Sequence, residues 1–303
     1  MKKLAIGILL VCLIPALAAA ENKEDVKISS TIFFRWQNSQ TSSNFDVDRA
    51  YLNFTKKLDQ GASARVTLDA ARINFLKFAY VELPAPLTVK LGLQQTVWID
   101  WEDKLLDIRY ISKALIDDQG IMPAADFGVA LSGKLGRPAI DYLVTLMNGG
   151  GFATSESDAQ KALAVRLNAN LGPVVVGCFG NIESLDGNFN LSASNKQVGL
   201  GLGYKNSRLK LLGEGVIGSK NSKDISGLSV GGVIGLVGKT SVILRYDWLN
   251  PDLSAPGNDR TKLIYGLTYD WSADVKLAAD VQNTSVGGNS PTSVFYLQTL
   301  VQL

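Results

Sequence analysis

The sequence is dominated by segments of about ten residues in which apolar and polar side chains alternate. One such segment interleaves Val198, Leu200 and Leu202 with Gly199, Gly201 and Gly203. Alternation with a period of two gives a β-strand one apolar face and one polar or small-residue face. About 16 such segments follow one another from residue 26 to the C-terminus, which predicts an all-β fold.

The connections between these segments alternate in length. Short connections lie around Asp59, Ala85, Gly136, Gly172, Asn206, Gly238 and Ser272. Between them lie mostly longer polar connections at 38–44, 94–124, 148–158, 183–195, 219–224, 250–259 and 283–290, with 70–73 the brief exception. An even number of strands with short turns at one end is the layout of a bacterial outer-membrane barrel. We therefore predict a transmembrane antiparallel β-barrel with short periplasmic turns and longer external loops.

A soluble β-sandwich and a surface β-solenoid are the alternative folds for such a pattern. The positions of the aromatic residues favour the barrel over both, because a membrane-spanning wall carries an aromatic girdle at each interface. Near the long-loop ends of apolar faces lie Trp36, Trp248 and Phe295, and near the short-turn ends lie Tyr80, Tyr204, Tyr269 and Trp271.

The first 20 residues have the pattern of a secretory signal peptide. Lys2 and Lys3 precede an apolar run at 4–17, and Ala18, Ala19 and Ala20 provide a small-residue cleavage site. A retained membrane anchor is the alternative, and the short run argues against it. Residues 21–303 are then expected to form the barrel.

Composition excludes several functions. Without Lys2 and Lys3 the chain has 28 basic and 28 acidic residues, so no bulk charge favours a nucleic-acid partner. Histidine is absent, which excludes a Ser/His or Cys/His nucleophilic pair and a histidine metal site. Cys178 is the one cysteine after the signal, so no internal disulfide is expected. We predict neither an enzyme nor a cofactor.

The interval from Gln94 to Ala124 interrupts the alternation. A stretch of this length without strands in a compact domain is often functional. Apolar residues recur in it at helical spacing, and Asp100 is a candidate cap for a short helix, with Arg109 and Lys113 further along. We predict a loop with a short helix that folds into the barrel and narrows the pore.

Charged residues of this loop and of the polar strand faces are the candidates for pore function. They are Arg35, Arg49, Arg65, Asp100, Glu102, Asp103, Lys104, Asp107, Arg109 and Lys113. The first three lie on consecutive predicted strands and could form one basic wall patch; alternatively they are ordinary lumen charges balanced by acids. The loop acids lack calcium-loop spacing, so we interpret them as solvated.

Several short segments resemble porins of the phosphate-selective porin O and P family. They are 45–54 (FDVDRAYLNF), 109–113 (RYISK), 126–129 (DFGV) followed by Gly133, and 142–151 ending in MNGGG. These segments occur in the family's order, and the clear match covers about residues 32–152. The resemblance implies a 16-stranded, commonly trimeric channel whose third external loop folds inward.

Together these observations predict a passive outer-membrane porin for small hydrophilic solutes and ions, with weak anion preference and phosphate as a candidate solute. Its expected partners are membrane lipid, solutes in transit and copies of itself in a homotrimer. The alternative is a structural or adhesive surface barrel without a significant open channel.

Overall fold

The computed structural model describes residues 26–72, 76–84, 87–136, 140–153, 160–185 and 195–303. The predicted signal peptide lies outside the described residues. Sixteen strands form one closed antiparallel barrel in which neighbours in sequence are neighbours in the sheet. The predicted fold class is confirmed.

The first eight strands are β1 (Lys27–Asn38), β2 (Ser43–Lys57), β3 (Ser63–Asp69), β4 (Leu76–Leu83), β5 (Thr88–Gln95), β6 (Ala125–Leu135), β7 (Ile140–Met147) and β8 (Lys161–Leu171). The second eight are β9 (Val174–Leu185), β10 (Asn195–Lys205), β11 (Leu209–Lys220), β12 (Lys223–Gly235), β13 (Thr240–Asn250), β14 (Arg260–Asp270), β15 (Val275–Val286) and β16 (Thr292–Gln302). A 3-10 turn at Asp59–Gly61 joins β2 to β3.

The barrel closes where the first strand meets the last. Strands β1 and β16 pair antiparallel from Thr31 opposite Gln302 to Asn38 opposite Phe295. Ser30 and Leu303 exchange both backbone hydrogen bonds, at 2.8 and 2.9 Å, which extends the ladder to the end of the chain. Closure of this kind leaves no strand edge without a partner, as a membrane wall requires.

The two faces of the wall differ as the alternation predicts. On β10 the side chains of Val198, Leu200 and Leu202 are exposed on the outside, while the glycines between them face the interior. Comparable exposed aliphatic side chains occur on most other strands, so an apolar belt surrounds the barrel. Such a belt matches the hydrocarbon layer of a membrane.

Aromatic residues mark both rims of this belt. At the long-loop rim Trp36 contacts Phe45 and Phe295, with ring centroids 6.3 and 5.9 Å apart, and at the short-turn rim Tyr269 contacts Trp271 at 6.3 Å. Tyr80 is a correction to the predicted girdle. It pairs across the sheet with the inward-facing Arg65, and Lys90 Nζ lies 4.5 Å from its ring centre, so it faces the lumen.

One predicted long connection is instead a tight turn. Strands β11 and β12 continue to Lys220 and Lys223, and two residues, Asn221 and Ser222, join them. Both adopt positive φ, 50° and 63°, which is the conformation of a two-residue type I′ hairpin turn. Sequence reasoning overestimated this loop because the strands continue through polar residues, such as Ser219 and Asp224, that the pattern assigned to the connection.

Candidate constriction of the lumen

The connection between β5 and β6 folds into the barrel. It contains helix α1 (Ile99–Leu106) and the single turn α2 (Leu115–Asp118). The predicted short helix is confirmed, but its cap is corrected: Trp98 precedes the helix and no side chain caps it. Asp107 ends α1 in the left-handed conformation, so Arg109 and Lys113 lie beyond it. Among the described residues, no helix is both long enough and apolar enough to cross a membrane.

We call the connection between β5 and β6, residues 96–124, the constriction loop. One side of this loop is apolar and packs against the inner wall. Its buried side chains include Val97, Trp98, Trp101, Leu105, Ile111, Leu115 and Ile116. They form one cluster with inward-facing wall residues, among them Phe33, Phe179, Leu212, Val216, Ile243 and Ile264. Fully burying a large apolar side chain stabilises a fold by ~1.5–3 kcal/mol, so this contact holds the loop firmly.

The predicted inward-facing glycines make this packing possible. A Cβ on Gly201 would lie 2.5 Å from a ring atom of Trp101, and a Cβ on Gly203 would lie 2.4 Å from a methyl carbon of Leu105. Trp101 and Trp98 stack at 4.4 Å between ring centroids, and Trp98 also contacts Phe179 at 4.8 Å. The glycines on β10 therefore form a groove that receives the loop.

Polar contacts hold the same loop to the wall at several levels along the barrel axis. Asp107, near the deepest part of the loop, contacts both Lys210 and Lys276 at the short-turn end of the wall. On the returning limb Asp118 accepts a hydrogen bond from Lys262 at 3.3 Å. Lys220 donates to the carbonyl of Ile121 at 3.3 Å near the long-loop rim. The loop thus crosses much of the barrel height instead of covering its mouth.

Glu102 departs most from its sequence-based interpretation. We interpreted the loop acids as solvated, yet Glu102 is only 2% exposed and accepts a hydrogen bond from Arg245 of β13 at 2.5 Å. Asp100 is the more conventional case: it pairs with Lys104 at 2.7 Å, and both line an open cavity. The difference follows from the helix, which presents Asp100 to the cavity and Glu102 to the wall.

The opposite side of the constriction loop is polar. Arg109 pairs with Asp117 and approaches Asp103 to 3.7 Å. Burial raises the pKa of Asp103 to about 7, and the nearby Arg109 opposes that rise. Arg109 also lies within electrostatic range of Tyr51 on β2 and Lys77 on β4. Lys113 is half-buried and has no ion pair among the described residues.

The three predicted wall arginines do face the lumen on β1, β2 and β3. Acids on the same wall neutralise two of them: Arg35 contacts Asp46 at 2.9 Å and Asp48 at 3.5 Å, and Arg49 contacts Asp48 at 3.3 Å and Asp69 at 3.8 Å. Arg35 and Arg49 thus have balancing acids, but Arg49, at 7% exposed, is not the solvated charge of that alternative.

Arg65 differs from the other two wall arginines. It donates hydrogen bonds to Asn53 at 2.9 Å and Thr67 at 3.0 Å, and its guanidinium lies 5.2 Å from the ring centre of Phe78. No acid pairs with it among the described residues. Lys77 lies nearby in a similar setting, with its ammonium 3.9 Å from the ring centre of Phe152.

Open cavities lie on both sides of the constriction. The long-loop cavity has a volume of about 430 Å³ and is lined by Arg35, Asp46, Asp48 and Arg72. On the short-turn side are cavities of about 250 Å³, beside Asp107 and Lys276, and about 330 Å³, beside Asp100 and Arg166. Their charged linings are those of water-filled space.

Among the described residues no three acidic or cysteine side chains converge in a way that could hold a metal ion. Most charged residues of the lumen pair with one another, and Arg65 and Lys113 are exceptions among the described residues.

Solved structures of outer-membrane barrels are similar to this chain over most of its length. OmpT of Vibrio cholerae, described as expressed in the outer membrane, aligns with 12% identity and a TM-score of 0.70, covering 93% of this chain and 99% of that one. A mutant of the Rh. blastica porin aligns with 14% identity and a TM-score of 0.67, covering 92% and 100%. A porin refined at 1.8 Å aligns with 14% identity, the same coverage and a TM-score of 0.61.

No family model and no curated protein matches the chain. At this level of identity the solved structures establish the fold, and the apolar belt with its two aromatic rims establishes the environment of that fold. The chain is a bacterial outer-membrane barrel. Its resemblance to the phosphate-selective porin O and P family stays a prediction.

Proposed function

We propose that this protein is a passive diffusion channel for small hydrophilic solutes and ions. The observation that carries the proposal is the pair of charged, open regions on either side of an inward-folded loop in a closed barrel. Hydrocarbon is a barrier to polar solutes, and a polar path through the barrel lowers that barrier without a catalytic residue.

The path is proposed to run between the polar side of the constriction loop and the wall formed by β2 to β5. The apolar side of the loop closes the lumen against β8 to β16 and Phe33 of β1, which leaves this wall as its polar border. Arg65, Lys77, Arg109 and Asp117 border the gap and would contact a solute in transit. Since Asp100, Lys104 and Asp107 line the cavities below, they belong to the same route.

Planar-bilayer recording of the purified, folded barrel tests this function. We expect the conductance to increase in steps, one for each barrel that inserts into the bilayer. We also expect the gel mobility of the protein to change after heating, because a closed barrel stays folded in the gel unless the sample is heated. A heat-modifiable barrel without conductance steps would contradict the channel and support a structural or adhesive barrel. One observation favours such a structural or adhesive barrel: the constriction is tightly packed, since Thr67 and Asp69 are each 1% exposed.

We propose weak anion preference, with small anions such as phosphate among the solutes. Its source is the excess of bases over acids on the wall of β1 to β5, where Arg65 and Lys77 have no acidic partner among the described residues. Charges are screened within ~8 Å at physiological salt, so unpaired bases at the constriction dominate over paired ones elsewhere.

Replacing Arg65 by Gln is therefore expected to move the reversal potential in asymmetric salt towards cations. Arg35→Gln serves as the matched control: it removes the same charge, but at the wide entrance, so it should move the potential less than Arg65→Gln. The triple replacement of Arg35, Arg49 and Arg65 should shift the potential furthest. Wild-type selectivity of Arg65→Gln in dilute salt would contradict the anion preference.

A homotrimer is proposed as the working assembly. The support comes from the resemblance noted in the sequence and from a solved V. cholerae OmpT described as a trimer form, which has 10% identity and a TM-score of 0.69. In the same bilayer recordings a trimer would close in three equal steps for each inserted particle.

A further inference from the structure

Four charged side chains meet inside the barrel where α1 touches the wall. Arg245 and Asp247 come from β13, Glu214 from β11 and Glu102 from the constriction loop. We call them the buried charge cluster, since none of the four is more than 4% exposed. A group of ionised residues so far from water is costly unless each charge is paired and hydrogen-bonded.

The hydrogen bonds of this cluster are incomplete. Arg245 donates to Glu102 Oε1 at 2.5 Å and to Asp247 Oδ1 at 2.8 Å, and the Ser229 hydroxyl donates to the same Asp247 oxygen at 2.6 Å. The Trp98 ring N–H donates to Glu214 Oε2 at 2.8 Å. This leaves Glu102 Oε2 and Glu214 Oε1 without a donor and Arg245 Nη2 without an acceptor.

The two carboxyl groups with a missing donor are brought into one buried site by Trp98: its ring N–H donates to Glu214, and its carbonyl accepts the backbone N–H of Glu102 at 3.4 Å. Two ionised carboxylates cannot bond each other, because both offer acceptors only. A proton on either of them would supply the missing donor. Two carboxyls in one buried site repel each other when both are ionised, which also favours one shared proton.

The net charge of the cluster also favours a bound proton. Glu102 faces Arg245 and Asp247 on β13 and Glu214 on β11, and Arg109 acts on it from its own loop. Within the cluster three acids face one base, so full ionisation would leave a net negative charge away from water. Burial accordingly raises the pKa of Glu102, with Arg245 acting against the rise.

We propose that Glu102 and Glu214 hold one proton between them, and that this protonated pair fixes the constriction loop to the barrel wall. The pair joins residues of the loop and of β11, and Trp98 of the loop donates to the same glutamate. Docking of the loop then takes up a proton that separated carboxylates release. Raising the pH weakens docking by up to about tenfold in its equilibrium constant per pH unit, until the docked pair itself loses the proton.

The proton itself can be observed without any transport assay. Infrared spectroscopy of the folded barrel should show the C=O stretch of a protonated carboxylic acid at neutral pH. The test uses an Asp103→Asn background, because burial raises the pKa of Asp103 to about 7 and its protonated form would give the same band. In that background the band should disappear in Glu214→Gln, whose amide keeps an acceptor for Trp98 and gives Glu102 a donor. Glu183→Gln on β9 is the matched control, because Glu183 lies outside the cluster and accepts a hydrogen bond from Asn195 at 2.6 Å.

The role of the pair is tested by conductance across the neutral to alkaline range, which rests on the proposed channel function. Wild type and Glu183→Gln, both in the Asp103→Asn background, should conduct more as the pH rises and docking of the loop weakens. Glu214→Gln and Glu102→Gln in the same background should lack this rise. The absence of the carboxylic-acid band in wild type, or its persistence in Glu214→Gln, would overturn the shared proton. A band with identical pH profiles in all variants would overturn the role in loop docking. A folded barrel that never conducts would contradict the proposed channel function. The infrared test would then still decide whether Glu102 and Glu214 share a proton.

Discussion

Deletion of residues 100–118, with a short Gly-Ser link across the gap, is expected to raise single-channel conductance severalfold. These residues include α1 from its second position and all of α2, which together occupy the middle of the lumen. Every strand and every strand pairing lies outside the deletion, so the barrel should still close. Recording in bilayers, together with the heat-dependent gel shift, measures both the pore and the integrity of its wall.

The deletion also uncovers apolar wall residues such as Leu212, Val216 and Ile243, so some loss of thermal stability should accompany the wider pore. Deleting residues 252–257 is the matched control, because that connection between β13 and β14 lies outside the cluster that fills the lumen. It should leave conductance near the wild-type value. Unchanged conductance of the 100–118 deletion in a heat-modifiable barrel would show that the loop does not limit the pore.

Replacing Gly201 by Val is expected to displace the constriction loop without removing a residue from it. The new Cβ would lie 2.5 and 2.6 Å from two ring atoms of Trp101 and 2.9 Å from Trp98, and the stacked rings have little room to yield. Overpacking of this kind costs ~1–3 kcal/mol, enough to weaken a docked loop. We expect larger and noisier conductance steps and a red shift of tryptophan fluorescence as Trp98 and Trp101 reach water.

Gly213→Val is the control for this substitution. Gly213 lies on the adjacent strand with its missing side chain directed outward, and nothing lies within 4 Å of an added Cβ. It should match the wild type in conductance and fluorescence, since a valine there faces lipid as its neighbours do. Equal effects of the two substitutions would mean that the response comes from the strand backbone and not from the contact with the loop.

The constriction loop and the wall share an apolar interface inside a barrel that is proposed to contain an aqueous path. The interface is costly to expose, so the loop has a reason to stay docked apart from its ion pairs. The polar contacts, Asp107 with Lys276 and Glu102 with Arg245 among them, then specify where along the wall it docks. The apolar interface and the polar contacts thus act together to hold the loop in the lumen.

The sequence by itself determined the wall. Strand alternation is a local property with a period of two, so the number of strands, the outer face and the interruption at the constriction loop could all be predicted before any contact was known. Phe33 also departs visibly from the alternation, and in the structure it faces inward and joins the cluster under the loop. Errors arose where local signals were ambiguous, as for the turn at Asn221 and the inward direction of Tyr80.

The partners of the loop were decided only by the tertiary structure. Glu102 and Arg245 are 143 positions apart, and Trp98 and Glu214 are 116 apart, so no spacing in the sequence connects them. Leu212 and Ile243 lie on faces that alternation assigns to a polar lumen. Apolar side chains fit there because the loop covers these positions. Arg35, Arg49 and Arg65 were equivalent in sequence, and cross-strand acids separated them into paired and unpaired bases. The burial and charge state of a lumen residue depend on what closure of the barrel places opposite it, and closure is a property of the whole chain.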